Sequence, residues 1–166
     1  MADLLYAFLF YPILFILPAW IANGAPVVFG GGAPLDFNKK LNGRPIFGKH
    51  KTIRGTVAGL LCGFLAATAI SLFFPYLLAA GLALSIGTIA GDLAGSFIKR
   101  QTGLKEGASV MLLDQYSFFV VALLFSLPFG NTPSIIGLVV LAVLTGVLHK
   151  GTNMLAHKAR IKQVPW

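Results

Sequence analysis

Charged side chains are scarce in this sequence, at 11% of its 166 residues, whereas soluble domains average about 25%. Cysteine occurs once, as Cys62 inside an apolar run, which excludes a disulfide framework and a cysteine-based metal site. Apolar residues are abundant instead, at 57%, and several runs are long enough to cross a bilayer. These features predict an all-α, polytopic membrane protein.

Five apolar runs are the expected transmembrane helices of a single integral membrane domain, 1–166. They cover about residues 4–22, 55–74, 77–98, 108–127 and 133–148, with an extension of the last to 156 left open. The first run has no basic segment before it and is too long for the core of a signal peptide, so we expect it to be retained. The segment 23–54 is rich in proline and glycine, which predicts a loop and not a helix.

The basic residues are confined to three segments. Of the 13 Lys and Arg residues, six lie in the first loop, three in the loop after span three, and four after span five. Because positive loops stay in the cytoplasm, five spans place the N-terminus outside and the C-terminus in the cytoplasm. Loops of about 23–54 and 99–107 then face the cytoplasm. With a net charge of +8 beside a membrane, anionic lipid or phosphate is a better partner than nucleic acid.

Two expected spans carry a glycine at every fourth position. They are Gly55, Gly59 and Gly63 in span two, and Gly87, Gly91 and Gly95 in span three. Small residues at this spacing allow two helix backbones to approach closely, so both faces are expected at tight helix contacts. Whether the two faces pack against each other or against different helices is left open by the spacing.

Span three also carries a polar stripe that contains an acid, Asp92. The stripe recurs at three- and four-residue steps, so its members share one helix face: Ser85, Thr88, Asp92, Ser96 and Lys99. Asp92 lies about 10 Å along the axis from Lys99. An acid inside a membrane span is costly, and it is a functional-site hypothesis by default.

A second acid, Asp114, lies near the start of span four. Two carboxylates close together at low dielectric need a cation or a shared proton. Mg²⁺ binds one or two carboxylates plus substrate phosphates, so Asp92 and Asp114 are the candidate metal ligands and catalytic acids. Phosphate charge would be neutralised by Lys99, Arg100 and Lys105. Of these, Lys99 and Arg100 are further catalytic candidates. The alternatives are two structural ion pairs, such as Asp92 with a first-loop lysine, or an anion transporter with the same basic vestibule.

The first loop holds the remaining candidates for substrate binding. Consecutive glycines can turn backbone N–H groups toward an anion, although a flexible linker explains them equally well. Basic and hydroxyl side chains just before span two suit phosphate at a helix N-terminus. The candidates are Asn23, Gly30, Gly31, Gly32, Asp36, Arg44, Lys51, Thr52 and Arg54.

The stretch from Gly91 to Lys105, G-D-L-A-G-S-F-I-K-R-Q-T-G-L-K, resembles the signature of the CTP:phosphatidate cytidylyltransferase family. The signature's serine, Lys-Arg pair, lysine and acid correspond here to Ser96, Lys99, Arg100, Lys105 and Glu106. The chain lacks the His-Gly-Gly segment of the bacterial and eukaryotic pattern, and it has Asn42 where Asp-Gly-Arg would begin with an acid. The short form, with P-A-W-I-A-N-G-A-P-V-V-F-G-G-G and G-K-H-K-T-I-R-G, resembles the archaeal branch, the CDP-archaeol synthases.

The resemblance implies a Mg²⁺-dependent enzyme that joins CTP to an isoprenoid ether-lipid phosphate and releases pyrophosphate. It implies Ser96 and Lys105 as substrate-binding residues, and a multi-pass protein of the cell membrane with its active site toward the cytoplasm. A CDP-alcohol phosphotransferase is the less favoured reading, because its D-G-x-x-A-R signature is absent. The oligomeric state is not determined by the sequence.

Overall fold

The computed structural model describes residues 2–104 and 110–160, and in these ranges the chain forms five helices and one folded loop. The first helix, α1, consists of three pieces that follow one another directly: Ala2–Leu5, a π-helical turn Tyr6–Phe10 and the α-helix Tyr11–Phe29. The others are α2, Ile53–Ser71; α3, Leu78–Gln101; α4, Met111–Ser126; and α5, Ile135–Lys158. The 3₁₀ turn Pro75–Leu77 leads into α3, and the 3₁₀ turn Leu127–Phe129 follows α4.

Four of the described segments are long and apolar enough to cross a membrane: Asp3–Phe29, Ile53–Ser71, Pro75–Gln101 and Ile135–Lys158. A fifth apolar segment, Leu113–Phe129, is shorter. The expectation of an all-α, polytopic membrane protein is confirmed. The expected start of the fourth span, near 108, falls outside the described residues.

The first helix is longer than predicted, because it continues seven residues beyond Ala22 to Phe29. Asn23, Gly24 and Pro26 indicated a loop, and that prediction was wrong for 23–29. In hydrocarbon each backbone group must be satisfied within its own segment, so helix persists through residues that would end it in water. The last turn closes with the N–H of Gly30 donating to Pro26 O at 2.9 Å.

The rest of the first loop is folded rather than extended. Strands β1, Lys40–Leu41, and β2, Arg44–Pro45, form an antiparallel hairpin in which Leu41 pairs with Arg44. The two residues between them, Asn42 and Gly43, have φ angles of 50° and 77°. Positive φ at both positions is what a type I′ turn requires, and Asn-Gly and Asp-Gly both satisfy it. The asparagine at position 42, where the signature it resembles has aspartate, is therefore compatible with the turn.

Both glycine faces lie at tight helix contacts, but not with each other. A Cβ on Gly63 of α2 would lie 2.6 Å from Ser85 Oγ of α3 and 2.9 Å from Ala22 Cβ of α1. A Cβ on Gly91 of α3 would instead lie 2.6 Å from the carbonyl oxygen of Ser117 in α4. The α2 glycines thus face α1 and α3, whereas the α3 glycines face α4. Helix α3 is the centre of the bundle.

The apolar core lies in the half of the bundle away from the folded loop. Its buried side chains come from α1, α3, α4 and α5, and they include Phe15, Ile16, Leu84, Phe118 and Leu141. At that end Asn131 Nδ2 donates to Tyr76 O at 3.2 Å, and Tyr11 Oη donates to Asn131 O, which joins α1 to the α2–α3 and α4–α5 connections. All the described Lys and Arg residues lie at the opposite end of the bundle.

Candidate functional site

The acid within α3 is paired with a cation from the first loop. Lys51 Nζ lies 2.5 Å from Asp92 Oδ2, and the two side chains are 25% and 32% exposed. Lys51 is placed there by the segment that precedes α2: its carbonyl oxygen accepts from Leu35 N at 2.7 Å, and its N–H donates to Gly48 O at 3.2 Å. The pair therefore connects the loop to the centre of the bundle.

The second acid is paired with the lysine at the end of α3. Lys99 Nζ donates to Asp114 Oδ1, and the other carboxylate oxygen accepts from Val110 N at 2.9 Å. Val110 is the N-cap of α4, so Asp114 also satisfies a free N–H at a helix N-terminus, where negative charge is favourable. Both predicted catalytic acids thus have a lysine partner, as the ion-pair alternative anticipated.

The two acids are close in depth. Gly91 of α3 faces Ser117 and Phe118 of α4, and Gly95 faces Leu113 and Ser117. This antiparallel register places Asp114 level with about Gly95, three residues from Asp92, which is about 4.5 Å along the axis. Both carboxylates remain partly exposed, at 32% and 22% of their side chains.

The donor set fits Mg²⁺ bound together with a polyphosphate. Among the described residues no group of three or more His, Cys, Asp or Glu side chains could hold a metal ion by itself. Two carboxylates whose depths differ by less than one helical turn could supply part of an octahedral shell, and Mg²⁺ normally completes such a shell with water and phosphate oxygens. Asp92 and Asp114 stay the predicted ligands.

Two further candidates on α3 are buried near its end. Ser96 is 7% exposed and Arg100 is 6% exposed. Arg100 takes part in neither of the two ion pairs formed by the described residues. Burying a guanidinium is expensive without anionic partners, which is consistent with a role toward phosphate. Lys105 lies outside the described residues.

The glycine segment of the first loop lies against the start of α2. Gly31 and Gly32 have φ angles of 99° and 80°, which glycine adopts without strain, and their side-chain positions are open. A Cβ on Gly30 would lie 2.3 Å from the carbonyl oxygen of Pro26. Thr52 caps α2 by accepting from Gly55 N at 3.1 Å, while Arg54 is exposed. A bridge between Pro34 and Thr52 holds the two segments together.

Asp36 is 7% exposed, and its carboxylate contacts the loop's own backbone. It accepts from Asn38 N at 3.0 Å, Phe47 N at 2.9 Å and Gly48 N at 3.2 Å. Burial alone would raise the pKa of this carboxyl, but the hydrogen bonds from those N–H groups and from its own outweigh burial and lower the pKa. Asp36 therefore holds the loop closed; its predicted contact with substrate stays a prediction.

The hairpin is docked on the end of α3 by contacts that the sequence did not reveal. Arg44 Nη1 donates to the carbonyl oxygen of Gln101, and Gln101 Nε2 donates to Pro45 O at 3.1 Å. The rings of Phe47 and Phe97 meet edge to face, 6.5 Å apart. Because these contacts join residues 50 or more positions apart, no local pattern predicts them.

Two polar residues lie deeper on the helices. Asn23 is half-buried in α1, one residue after Ala22, whose carbonyl oxygen would lie 2.8 Å from a Cβ on Gly59. Thr88, one turn before Asp92, is fully buried, and its hydroxyl has no hydrogen-bond partner among the residues the structure describes. Asn23 stays a candidate for substrate binding.

Two open grooves lie away from these acids. One of about 320 Å³ is lined by Leu4, Leu5, Phe8, Leu9 and Val140. Another of about 410 Å³ lies beside Tyr6, Tyr76 and Ser134. Both belong to the end of the bundle that carries no Lys or Arg within the described ranges. The candidate site is therefore placed at the opposite end because of its charged residues and not because of a large cavity.

Comparison with known proteins agrees with this architecture. A family model described as "CarS-like: CDP-archaeol synthase" matches residues 5–166. The CDP-archaeol synthase of Pyrococcus furiosus is 43% identical over 168 residues, covering 94% of this chain and 99% of the relative. That of Methanopyrus kandleri is 46% identical over 156 residues, covering 92% and 90%.

A solved structure of an intramembrane enzyme for archaeal membrane lipid biosynthesis has a similar fold, with a TM-score of 0.79 and 39% sequence identity. The similarity covers 86% of this chain and 92% of that one. With a family match across residues 5–166 and relatives more than 40% identical over nearly the whole chain, this protein belongs to the CDP-archaeol synthase family.

Proposed function

We propose that this protein is a cytidylyltransferase that makes CDP-archaeol from CTP and 2,3-bis-geranylgeranyl-glycerol 1-phosphate. Membership of the CDP-archaeol synthase family supports the reaction. The observation that carries the proposal is the meeting of two acids and two lysines, Asp92 with Lys51 and Asp114 with Lys99, at the basic end of an apolar bundle. The whole chain would act as one catalytic domain.

In this reaction an oxygen of the lipid phosphate attacks the α-phosphorus of CTP, the bond to the β-phosphate breaks, and pyrophosphate leaves. The attacking group is already an anion, so no serine, cysteine or histidine nucleophile is needed. Catalysis of such a transfer consists mostly of positioning and charge stabilisation. The residue types at this site, carboxylates and cations, are those that this task requires.

Asp92 and Asp114 would hold Mg²⁺, which supplies charge neutralisation at the phosphate oxygens when bound. Lys51 and Lys99, which contact those carboxylates, carry ammonium groups that can reach phosphate oxygens beside them. Arg100 and Lys105, with Arg44 and Arg54 of the loop, would neutralise the leaving pyrophosphate. Ser96, Thr52 and the N–H groups of Gly31 and Gly32 are the proposed hydrogen-bond donors to nucleotide, whereas the N–H of Gly30 is bonded to Pro26 O.

The proposed placement is a multi-pass protein of the cell membrane with its basic end in the cytoplasm. CTP and the phosphate group of the lipid would then meet at the cytoplasmic surface, while the isoprenoid chains stay in hydrocarbon. The confinement of the described Lys and Arg residues to one end supports this orientation.

The test is pyrophosphate release by purified protein in detergent or vesicles. Release from CTP should require both Mg²⁺ and the ether-lipid phosphate, and should be much lower with ATP or GTP. Formation of CDP-lipid should match the pyrophosphate mole for mole. Anion flux across vesicles without turnover of CTP would contradict the proposal and favour a transporter.

A further inference from the structure

We infer that Asp36 is a positioning residue, which fixes Arg44 and Lys51 against α3 without itself binding nucleotide. The inference rests on the proposed function for its effect on CTP and on the geometry of the loop for its physical cause. It assigns to this carboxylate a role different from the substrate contact that its place in the sequence suggested.

The first step is the closure of the loop. The two oxygens of Asp36 accept N–H bonds from Asn38 on one side and from Phe47 and Gly48 on the other. These acceptor contacts join chain positions 11 and 12 residues apart and close the base of segment 36–48. Three charge-assisted bonds to N–H groups leave the carboxylate little capacity for a ligand.

The second step is what the closed segment holds in place. The hairpin it encloses presents Arg44 to the carbonyl oxygen of Gln101, and Phe47, bonded to Asp36 through its N–H, packs on Phe97. Both contacts are with the last turn and a half of α3. Loss of the Asp36 bonds would remove the side-chain contacts that join the two ends of this segment.

The third step is the link from Asp36 to Asp92, the proposed metal ligand. Gly48 N–H donates to Asp36, and Gly48 O accepts from Lys51 N at 3.2 Å. Lys51 Nζ in turn lies 2.5 Å from Asp92 Oδ2. The bonds of Asp36 therefore hold the chain segments that carry Arg44 and Lys51. Asp36 acts on the site only through these two cations.

The lowered pKa of Asp36 agrees with a carboxylate that stays ionised and bonded throughout the physiological range. The side chains of the neighbouring Lys39 and Lys40 are exposed, so the closure at Asp36 is made by its bonds to the backbone N–H groups of Asn38, Phe47 and Gly48.

The test compares Asp36→Ala and Asp36→Asn with Lys39→Ala, an exposed residue of the same loop. Hydrogen exchange measured by mass spectrometry should rise over residues 37–48 in Asp36→Ala and stay at the wild-type level in Lys39→Ala. Asp36→Asn keeps one acceptor oxygen for Phe47 and Gly48, so it should show an intermediate rise. This readout is independent of whether the protein turns over CTP.

Kinetics then separate positioning from general damage. We expect KM for CTP to rise about ten- to a hundredfold in Asp36→Ala, which is the loss typical when a residue that orients ligand-binding side chains is replaced, with KM for the lipid phosphate nearly unchanged. The rise should be smaller when Asp36→Ala is added to Arg44→Ala, because part of its effect passes through Arg44, and largely absent when Arg44 and Lys51 are both replaced. Asp36→Asn should lie between wild type and Asp36→Ala.

Unchanged exchange over 37–48 in both Asp36 variants would overturn the inference, as would a fall in kcat at unchanged KM for CTP. If wild-type protein releases no pyrophosphate while exchange still rises in Asp36→Ala, the loop closure stands and the proposed function fails. Should Asp36→Ala not fold, Asp36→Asn carries both measurements.

Discussion

Lys51 Nζ and Asp92 Oδ2 lie 2.5 Å apart although the residues are 41 positions apart in sequence. If Asp92 and Lys51 form only a structural ion pair, exchanging their charges should preserve function. If Asp92 is a metal ligand and Lys51 binds phosphate, the exchange should abolish function. The double variant Lys51→Asp with Asp92→Lys keeps an ion pair but moves the carboxylate to the loop. We expect it to fold and to remain inactive in pyrophosphate release. Recovery of near-wild-type turnover would contradict a catalytic role for Asp92.

The two acids should behave as a unit. Asp92→Asn and Asp114→Asn should each reduce turnover by at least about a hundredfold, since each removes charge stabilisation at the reacting phosphate. The double variant should be little worse than either single one, because residues that act together are non-additive. Turnover at saturating Mg²⁺ and CTP is the measurement. Asp3→Asn, at the opposite end of the bundle, is the control and should retain activity.

The glycine face of α3 gives a prediction about stability. Gly91→Ala places a Cβ within 2.7 Å of the backbone of α4, so the helices must separate. We expect a loss of about 1–3 kcal/mol, typical of overpacking, measured as a lower unfolding temperature in detergent. Gly24→Ala is the matched control, since nothing lies within 4 Å of its Cβ. Equal effects of the two substitutions would show that helix propensity, and not the close contact, decides the result.

A hydrogen bond between helices is also testable. Trp20 Nε1 donates to Thr145 Oγ1 at 3.0 Å, joining α1 to α5, and Thr145 is 1% exposed. Thr145→Val keeps the shape and removes the acceptor, which should cost about 0.6–1.7 kcal/mol, as measured for such bonds in membranes. Thr152→Val, whose hydroxyl bonds only to its own helix among the contacts seen, should cost less. The unfolding temperatures of both variants are the measurement, and an equal decrease in the two would contradict a role for the Trp20–Thr145 bond.

The orientation can be tested by cysteine labelling in a Cys62→Ser background. A cysteine at Lys40, and one at Lys162 beyond the described residues, should react with an impermeant reagent only from the cytoplasm. One at Asn131, in the connection before α5, should react only from outside. Reaction of positions 40 and 162 from opposite sides would refute the proposed topology.

The pH dependence of the loop follows from the sign of the Asp36 shift. Because the folded pKa lies below the unfolded value of about 3.9, the stabilisation is full above that value and is lost as pH falls through the folded pKa. The difference in unfolding temperature between wild type and Asp36→Asn should thus be constant from about pH 8 to 5 and shrink below about 4. A difference that shrinks between pH 8 and 6 would assign the effect to another group.

The sequence predicted the helices well and their contacts poorly. Apolar runs locate the spans because hydrocarbon imposes a length and excludes charge. The extension of α1 through Gly24 and Pro26 was missed because these residues end helices in water. The hairpin was missed although Asn42-Gly43 is a turn signal, since only short, polar segments flank it.

The candidate site was predicted at the level of residues but not of partners. Asp92 and Asp114 stand out because an acid in an apolar run is costly. Which lysine each acid contacts depends on how the loop docks and on the register of α3 with α4. Neither the docking of the loop nor the helix register leaves a local pattern in the sequence. The pairing of Asp92 with Lys51 could therefore be identified only from the structure.

The central position of α3 has a consequence for the order in which the chain is synthesised. Its partners α1 and α2 are made before it, whereas α4, which covers Gly87, Gly91 and Gly95, is made after it. Until α4 enters the membrane, a groove of three glycines faces lipid. Such a groove accepts other small-residue helices, so a nascent or truncated chain ending near residue 104 is the form most prone to wrong association.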